Sequence, residues 1–382
     1  MKQRGFWWYL LLATVLLVGL LIAGCAKPAP APAPSLAPTP APSPVPVVKP
    51  SQAPSPPPAP TPTPAAAPWP KSISIGTSPS GGTYYVVGVG WADTVSKYVK
   101  ITTRGEVTPG AEANLKMMKS KDLELGIVND EDAYLAPRGL ERWTEFGKVP
   151  VRLLFKSHKM EIWPVTRSDS GLKTFEDLKG KRFMGEWAGS PMMWSYGKRL
   201  FECYGFDIKK DLILQTTPGW KELMAAVAEK TADAGMVLGT HPAPNIVSMA
   251  ESYGLRHIPV SDKMLDCVYQ KIPWAAPCKM PAGTYKGQTE AIGDVEVWTN
   301  FTVTPDLPED LVYQLTKATF EHLADLVPIQ PAFKQLNVKT AVNNPMMPFH
   351  PGAIKYYKEA GVWTSEMEAT QSRLLKEIGA AK

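Results

Sequence analysis

The sequence predicts an α/β protein built as two α/β units with a cleft between them. Three observations carry this. Strand-like and helix-like segments alternate through residues 72–128. A second alternation starts near residue 168. A strong strand at Val295–Val303 then returns the chain toward a helical C-terminus. Such alternation implies parallel strands covered by helices, joined by right-handed crossovers.

The elements follow in order. Ser72–Ile75 alternates polar and apolar residues and stops at Gly76, as a short strand should. Tyr84–Tyr98 has helical spacing, although it opens in a glycine-rich stretch. Ile101–Val107 is a second strand. Ala111–Lys119 is a helix with Leu115 and Met118 on one face, and Leu125–Val128 is a third strand. Val151–Phe155 and Glu161–Thr166 are expected as two separate strands. Thr174–Leu178 is a helical turn with Thr174 as N-cap and Asp177 at the capping-box position. Lys181–Met184 is a strand, and Pro191–Tyr204 a helix stopped by Gly205. Trp220–Glu229 is a helix and Ala234–Leu238 a strand. Pro308–Leu323 forms a long helix with Pro308 in its first turn. Helices at Pro351–Glu359 and Ser365–Ile378 close the chain.

The chain has 382 residues and a formal net charge of +5, from 41 basic and 36 acidic residues. Lys2 and Arg4 precede an uncharged apolar run from Phe6 to Ala23, the pattern of a secretory signal. An uncleaved membrane anchor is the rival reading of that run. Ile22-Ala23-Gly24-Cys25 resembles the bacterial lipoprotein signal, which implies that Cys25 is lipidated and becomes the mature N-terminus. Residues 26–70 hold 19 prolines and only two charges, Lys27 and Lys49. Such a stretch cannot bury enough apolar surface to form a domain. Its Ala-Pro and Ser-Pro alternation favours extended polyproline II at ~3.1 Å per residue, and it reads as a disordered tether. Four basic residues lie ahead of Lys71, which leaves 37 basic against 36 acidic residues in the rest. That near balance argues against a nucleic-acid binder.

Of the cysteines beyond Cys25, Cys267 and Cys278 have ten residues between them and are the better disulfide pair; two buried free thiols are the other reading. No CxxC or HExxH occurs, the five histidines are scattered, and neither a metal site nor a cofactor is expected. No GxSxG surrounds Ser80 or Ser190, and no triad assembles around His241, so the chain is not expected to be an enzyme.

Four strand-to-loop junctions are the candidate binding sites. Gly76 to Tyr85 offers glycines for close backbone approach, hydroxyls at Ser80 and Thr83, and free N–H groups of a helix start, a cradle for an anion. Asn129-Asp130-Glu131-Asp132 follows the third strand, with Asn129 expected to point inward and Asp132 to water. Gly185 to Trp194 supplies Gly189 and Ser190 as donors, beside Trp187, Met192 and Trp194. Gly239-Thr240-His241-Pro242 is the fourth.

With these motifs in place, the sequence resembles the TAXI-type solute-binding proteins of TRAP transporters over Ile73–Trp363. Gly76-Thr77 through Gly81-Gly82-Thr83-Tyr84-Tyr85 matches that family's opening motif. Gly110–Leu115 with Leu125–Asn129 matches the stretch leading to its Gln-Ser-Asp signature. Arg167–Gly171, Asp177–Arg182, Pro281–Tyr285 and His350–Ala353 match further motifs in order. The resemblance implies a type II periplasmic-binding-protein fold, two α/β lobes joined by crossing strands. Lobe one would be 71–166 plus 299–382, and lobe two 167–298. It implies ligand contacts from Ser80, Gly82, Thr83, Tyr84 and Asn129 on one side and Gly189, Ser190 and Thr240 on the other. It implies capture of a small organic acid and delivery to an ion-gradient-driven TRAP permease, from a lipid anchor outside the cytoplasm. An ABC importer for sulfonate- or thiamine-like solutes would share the fold. Two departures bear on the ligand. Asn129-Asp130-Glu131 replaces Gln-Ser-Asp, and Trp187-Ala188-Gly189-Ser190-Pro191-Met192 replaces a Pro-Gly-Ser-Gly-Thr loop. These imply a carboxylate bulkier or less charged than glutamate.

Overall fold

The computed structural model describes residues 68–187 and 190–380. Cys25 and residues 26–67 of the expected tether, together with Gly189, lie outside the described residues. Ten strands form one mixed sheet. They are β1 (Ser72–Gly76), β2 (Thr102–Glu106), β3 (Leu125–Asn129), β4 (Arg152–Arg167), β5 (Arg182–Trp187), β6 (Ile213–Thr217), β7 (Ala234–Gly239), β8 (Leu255–His257), β9 (Ala276–Met280) and β10 (Ile292–Val303). Helices α1 (Thr83–Val99), α2 (Ala111–Ser120) and α3 (Asp130–Arg138) follow the first three strands. Between β4 and β10 come α4 (Pro191–Cys203), α5 (Ile208–Asp211), α6 (Trp220–Ala228), α7 (Pro244–Ser252) and α8 (Asp262–Tyr269). The last part of the chain holds α9 (Glu309–Glu321), α10 (Leu323–Leu326), α11 (Val338–Ala341), α12 (Pro351–Glu359) and α13 (Ser365–Ile378).

The strand order β2-β1-β3-β10-β4-β7-β5-β6 contains two parallel groups. β1 pairs in parallel with β2 and β3, and β5 pairs in parallel with β6 and β7. Between them run β4 and β10, long enough to reach both groups and antiparallel to each other. β10 pairs with β3 through residues 299–303 and with β9 through residues 292–296. β4 carries β7 along Glu161–Thr166. Two α/β units thus hang on one pair of shared strands.

Most expected elements appear within a residue or two of their predicted ends. Residues 151–166 do not form two strands. β4 runs unbroken through Lys156-Ser157-His158-Lys159, because that polar stretch finds buried partners. Pro308 is the N-cap residue of α9, with extended ψ, and stands just ahead of the first turn. At Glu176–Leu178 the turn is capped by Phe175. Asp177 instead accepts from the backbone N–H groups of Lys173 and Thr174, so only half of the expected box forms.

Asn114 of α2 ties the end of β1 to β3. Fully buried, its amide donates to the carbonyls of Gly76, Thr77 and Ile127 at 2.9–3.0 Å and accepts from the Thr108 hydroxyl. Gly76 makes this approach possible: a Cβ there would stand 2.4 Å from the Asn114 side-chain oxygen.

The expected Cys267–Cys278 pair does not form. Cys203 at the end of α4 bonds Cys267 of α8, with Cα atoms 6.0 Å apart, and Cys278 is free. The reason is packing: α4 lies against α8, whereas Cys278 sits on β9, opposite Asp294 of β10. Peptide mapping without reductant is expected to recover Cys203 joined to Cys267. Reducing that bridge, 64 residues apart in sequence, should cost roughly 2–4 kcal/mol of stability. A Cys267–Cys278 peptide, or no loss on reduction, would contradict the fold.

Candidate functional site

The carboxyl ends of the two parallel groups converge on β10. Asn129, the last residue of β3, stands opposite Thr299. Gly239, the last residue of β7, stands opposite Glu161 of β4, which itself faces Glu296 of β10. Thr299 and Glu296 are three residues apart, about 10 Å along a strand. Helix α3 begins at this junction, and Tyr84 in the first turn of α1 reaches it. Open α/β sheets bind ligands at the carboxyl ends of their parallel strands.

On the first side, Ser80 and Thr83 are exposed and Gly82 is the N-cap of α1. The hydroxyl that reaches the helix start is that of Ser78, which accepts from the Tyr85 N–H at 3.1 Å. Tyr84 is half-buried. Its hydroxyl meets Thr299, and burial lifts it well above the usual phenol range, with Asp132 and Asp130 adding to the shift. Asn129 caps α3 by accepting from the Asp132 N–H at 2.9 Å.

Asp132 does not face water. All three acids after Asn129 are buried. Arg142 pairs with Glu131 at 2.8 Å and with Asp132. Asp130 reaches the shared strands. It accepts from Lys156 Nζ at 3.1 Å, the Trp298 N–H at 2.9 Å and the Asn300 side-chain amide at 3.0 Å. Burial raises its carboxyl above the ordinary range, and Lys156 pulls it back. Lys156 is itself only 2 % exposed. Beside it, His158 lies between the hydroxyls of Ser157 and Thr299 at 3.1 and 3.3 Å.

On the second side, Ser190 is the half-exposed N-cap of α4, without a side-chain capping bond. The Thr240 hydroxyl donates to the Lys159 carbonyl at 3.2 Å. His241 rests on the Trp163 ring, with centroids 4.1 Å apart. The Tyr285 hydroxyl accepts from the Ala243 N–H, so its own proton goes to His241 Nδ1 at 3.0 Å. The proton on Nε2 then points at Asp294, 3.5 Å away. Burial holds Asp294 far above the carboxylate range and His241 down at about 4, so this contact joins two neutral groups and is no ion pair.

The expected residues therefore fall in two sets. Tyr84 and Asn129 meet the shared strands, as does Thr240 through Lys159, whereas Ser80 and Thr83 stand at the solvent edge. Lys156, Glu161, Asp294, Thr299 and Arg142 escaped the sequence reading. The one available signal was charge inside an apolar strand pattern, at Lys156 and Glu161.

Two α/β units on a pair of crossing strands, with their strand ends meeting at the crossing, define a type II periplasmic-binding-protein fold. The chain belongs to the NMT1-like family, whose model matches residues 75–361. Among solved structures it is similar to the periplasmic binding protein BugD, at 16% identity and a TM-score of 0.48, over 82% of this chain and 100% of that one. It is also similar to PhnD1 from Prochlorococcus marinus in complex with methylphosphonate, at 11% identity and 0.46, over 69% and 90%. A third is the periplasmic aliphatic sulphonate binding protein SsuA from Escherichia coli, at 13% identity and 0.39, over 82% and 94%.

Two outcomes follow. Asp130→Ala strands a buried lysine and should cost about 3–5 kcal/mol in denaturant unfolding, far more than replacing Asp130 and Lys156 together by apolar residues. A loss under about 1 kcal/mol would show that Lys156 does not depend on Asp130. Burial also lowers His158, His241 and His350 to about 4 and His257 to about 3, from an ordinary 6.5. The unfolded chain takes up these protons near pH 6.5 and the native state does not. The histidine contribution to stability is therefore complete above pH 6.5 and is lost as pH falls toward 4. Glu161, raised by burial to about 7, acts in the opposite sense between pH 4.5 and 7. Imidazole NMR titration should find these four histidines neutral at pH 5.5; midpoints near 6.5 would refute their burial.

Proposed function

We propose that this chain is an extracytoplasmic solute-binding protein that captures a small molecule between two lobes and hands it to a membrane permease. The observation that carries the reading is the meeting of the β3 and β7 ends within three residues of β10. Lobe one is 71–166 plus 299–382 and lobe two 167–298, and the cleft lies between them. Tyr84, Asn129 and Thr240 are the inner contacts and Ser80, Gly82, Thr83 and Ser190 the rim, with Gly189 proposed as a further contact. Closure turns about β4 and β10. A latch supports it: Arg199 of α4 pairs with Glu141 at 2.7 Å, and Tyr134 of α3 meets Trp274 with ring centroids 5.4 Å apart. Capture, closure and docking break no bond.

Lipidation of Cys25 and the tether 26–70 would hold this body near a membrane. The partner in this reading is a TRAP permease and the cargo an organic acid. An ABC importer component for sulfonate- or thiamine-like solutes is the second reading, since membership of the NMT1-like family and the fold fit both. Four cations near the cleft, Arg142, Lys156, Lys159 and Arg199, each already face a carboxylate, which favours a weakly charged cargo over a dianion.

A thermal-shift screen of the full-length chain against organic acids, amino acids, amines and sulfonates, with mass analysis of each hit, tests this. A true ligand at one hundred times its Kd should add about 2.7 kcal/mol. A hit recovered unchanged is the expected result. A hit that is consumed would make the protein an enzyme, and silence across the library would remove the solute-binding reading.

A further inference from the structure

One face of the shared strands carries more carboxyl groups than cations. Glu161 of β4 stands directly opposite Glu296 of β10, and Asp294 lies two residues further along the same face, opposite Cys278 of β9. The cation among them is Lys159, 3.5 Å from Glu161 and 3.2 Å from Glu296. Glu161 is 4 % exposed and Asp294 1 %. One Glu161 oxygen, Oε2, has no hydrogen-bond partner. A second group leads to the same place from another element. Tyr196 of α4 is 3 % exposed, its hydroxyl has no partner, and burial, with the nearby Asp294 next, holds its proton on. A buried carboxylate oxygen and a buried hydroxyl, both unsatisfied, are costly unless something donates to them.

We infer that the cleft floor holds a subsite for a positively charged nitrogen of the solute, an ammonium or amidinium whose N–H groups are accepted by Glu161 and the Tyr196 oxygen, beside Asp294. This rests on the solute-binding reading and puts a cationic solute in place of its organic-acid cargo. Carboxylates and a neutral phenol oxygen are acceptors for N–H donors. The walls are aromatic: His241 on Trp163, with Tyr285 against His257 at 5.4 Å between centroids. Rings of this kind suit an organic cation. Among the described residues no group of three or more His, Cys, Asp or Glu is arranged to hold a metal ion. The subsite adjoins the loop of Thr240, which bonds Lys159. Burial lifts Glu161 to about 7, so an arriving cation would drive its proton off.

Calorimetry on the full-length chain at pH 7, in phosphate and in Tris, tests this with agmatine, putrescine and ethanolamine against succinate, glutarate and taurine. At least one amine should bind, with a heat that differs between the buffers because a proton is released. Glu161→Gln should weaken it at least tenfold and remove the buffer dependence, and Tyr196→Phe should weaken it several-fold. The Gln variant should keep the wild-type unfolding midpoint at pH 6, where Glu161 is itself largely neutral, which separates lost binding from lost fold. Amine binding that survives Glu161→Gln overturns the subsite. Binding of the acids or taurine alone overturns it while leaving the solute-binding reading standing. Binding by none of the six overturns the subsite, and the wider thermal-shift screen then decides the solute-binding reading separately.

Discussion

The interaction on which the rest depends is the buried bridge from Asp130 to Lys156. Asp130 opens α3 on one side of the sheet, and Lys156 lies inside β4. The same carboxylate also accepts from the Trp298 N–H and the Asn300 amide on β10. One side chain thus ties a helix start to both shared strands at the point where they cross between the two groups. Paired, the lysine lets β4 run straight through a polar stretch that would otherwise break an apolar strand. Unpaired, it would be a charge in the core, and such charges are not tolerated. The continuity of β4, the antiparallel β4–β10 pair and the convergence of the β3 and β7 ends all follow from that accommodation.

A second consequence concerns electrostatics. Where the first side pairs its acids with Arg142 and Lys156, the second side leaves one Glu161 oxygen without a donor. The difference is one of supply. Beside helix α3 lies a single helical turn, Glu141–Trp143, which brings Arg142. The face of β10 near Asp294 is covered instead by the aromatic residues Tyr196, Tyr285 and His241, none of which carries a fixed charge at neutral pH. A surface of that kind holds its carboxyl groups neutral, or holds a cation.

The fold was largely legible in the sequence. Strand and helix ends marked by Gly76, Gly205, Pro191 and Pro351 sit close to where spacing and punctuation put them, because they answer to local chemistry: chain reversal, capping and the 3.6-residue period. The fate of residues 156–159 was not legible, since a polar run inside a strand pattern ordinarily marks a break. Distant partners, Asp130 and the Asn344 carbonyl for Lys156 and Thr299 for His158, make it a strand. Asp132 read as a solvated charge at a helix start for the same reason; Arg142, ten residues further on, turns it inward. The Cys203–Cys267 bond escaped because nearness in sequence favoured Cys278, whereas the helix α4 laid against α8 decides the pairing. Of the candidate site, the junction loops were visible as glycine and hydroxyl patterns. The groups that supply its charge come from the middle of β4 and β10, where a single sequence carries no local signal.

The disulfide has a consequence for how the two halves share mechanical load. Cys203 and Cys267 both lie in the segment between β4 and β10, so the bridge closes a loop wholly on one side of the crossing strands. It stiffens that half against pulling and proteolytic attack while leaving rotation about the crossing unopposed. The other half has no such staple among its described residues and relies on Asn114 and the Asp130–Lys156 bridge for its rigidity. In a reducing environment the asymmetry would invert, and the half containing α4 and α8 would become the weaker partner.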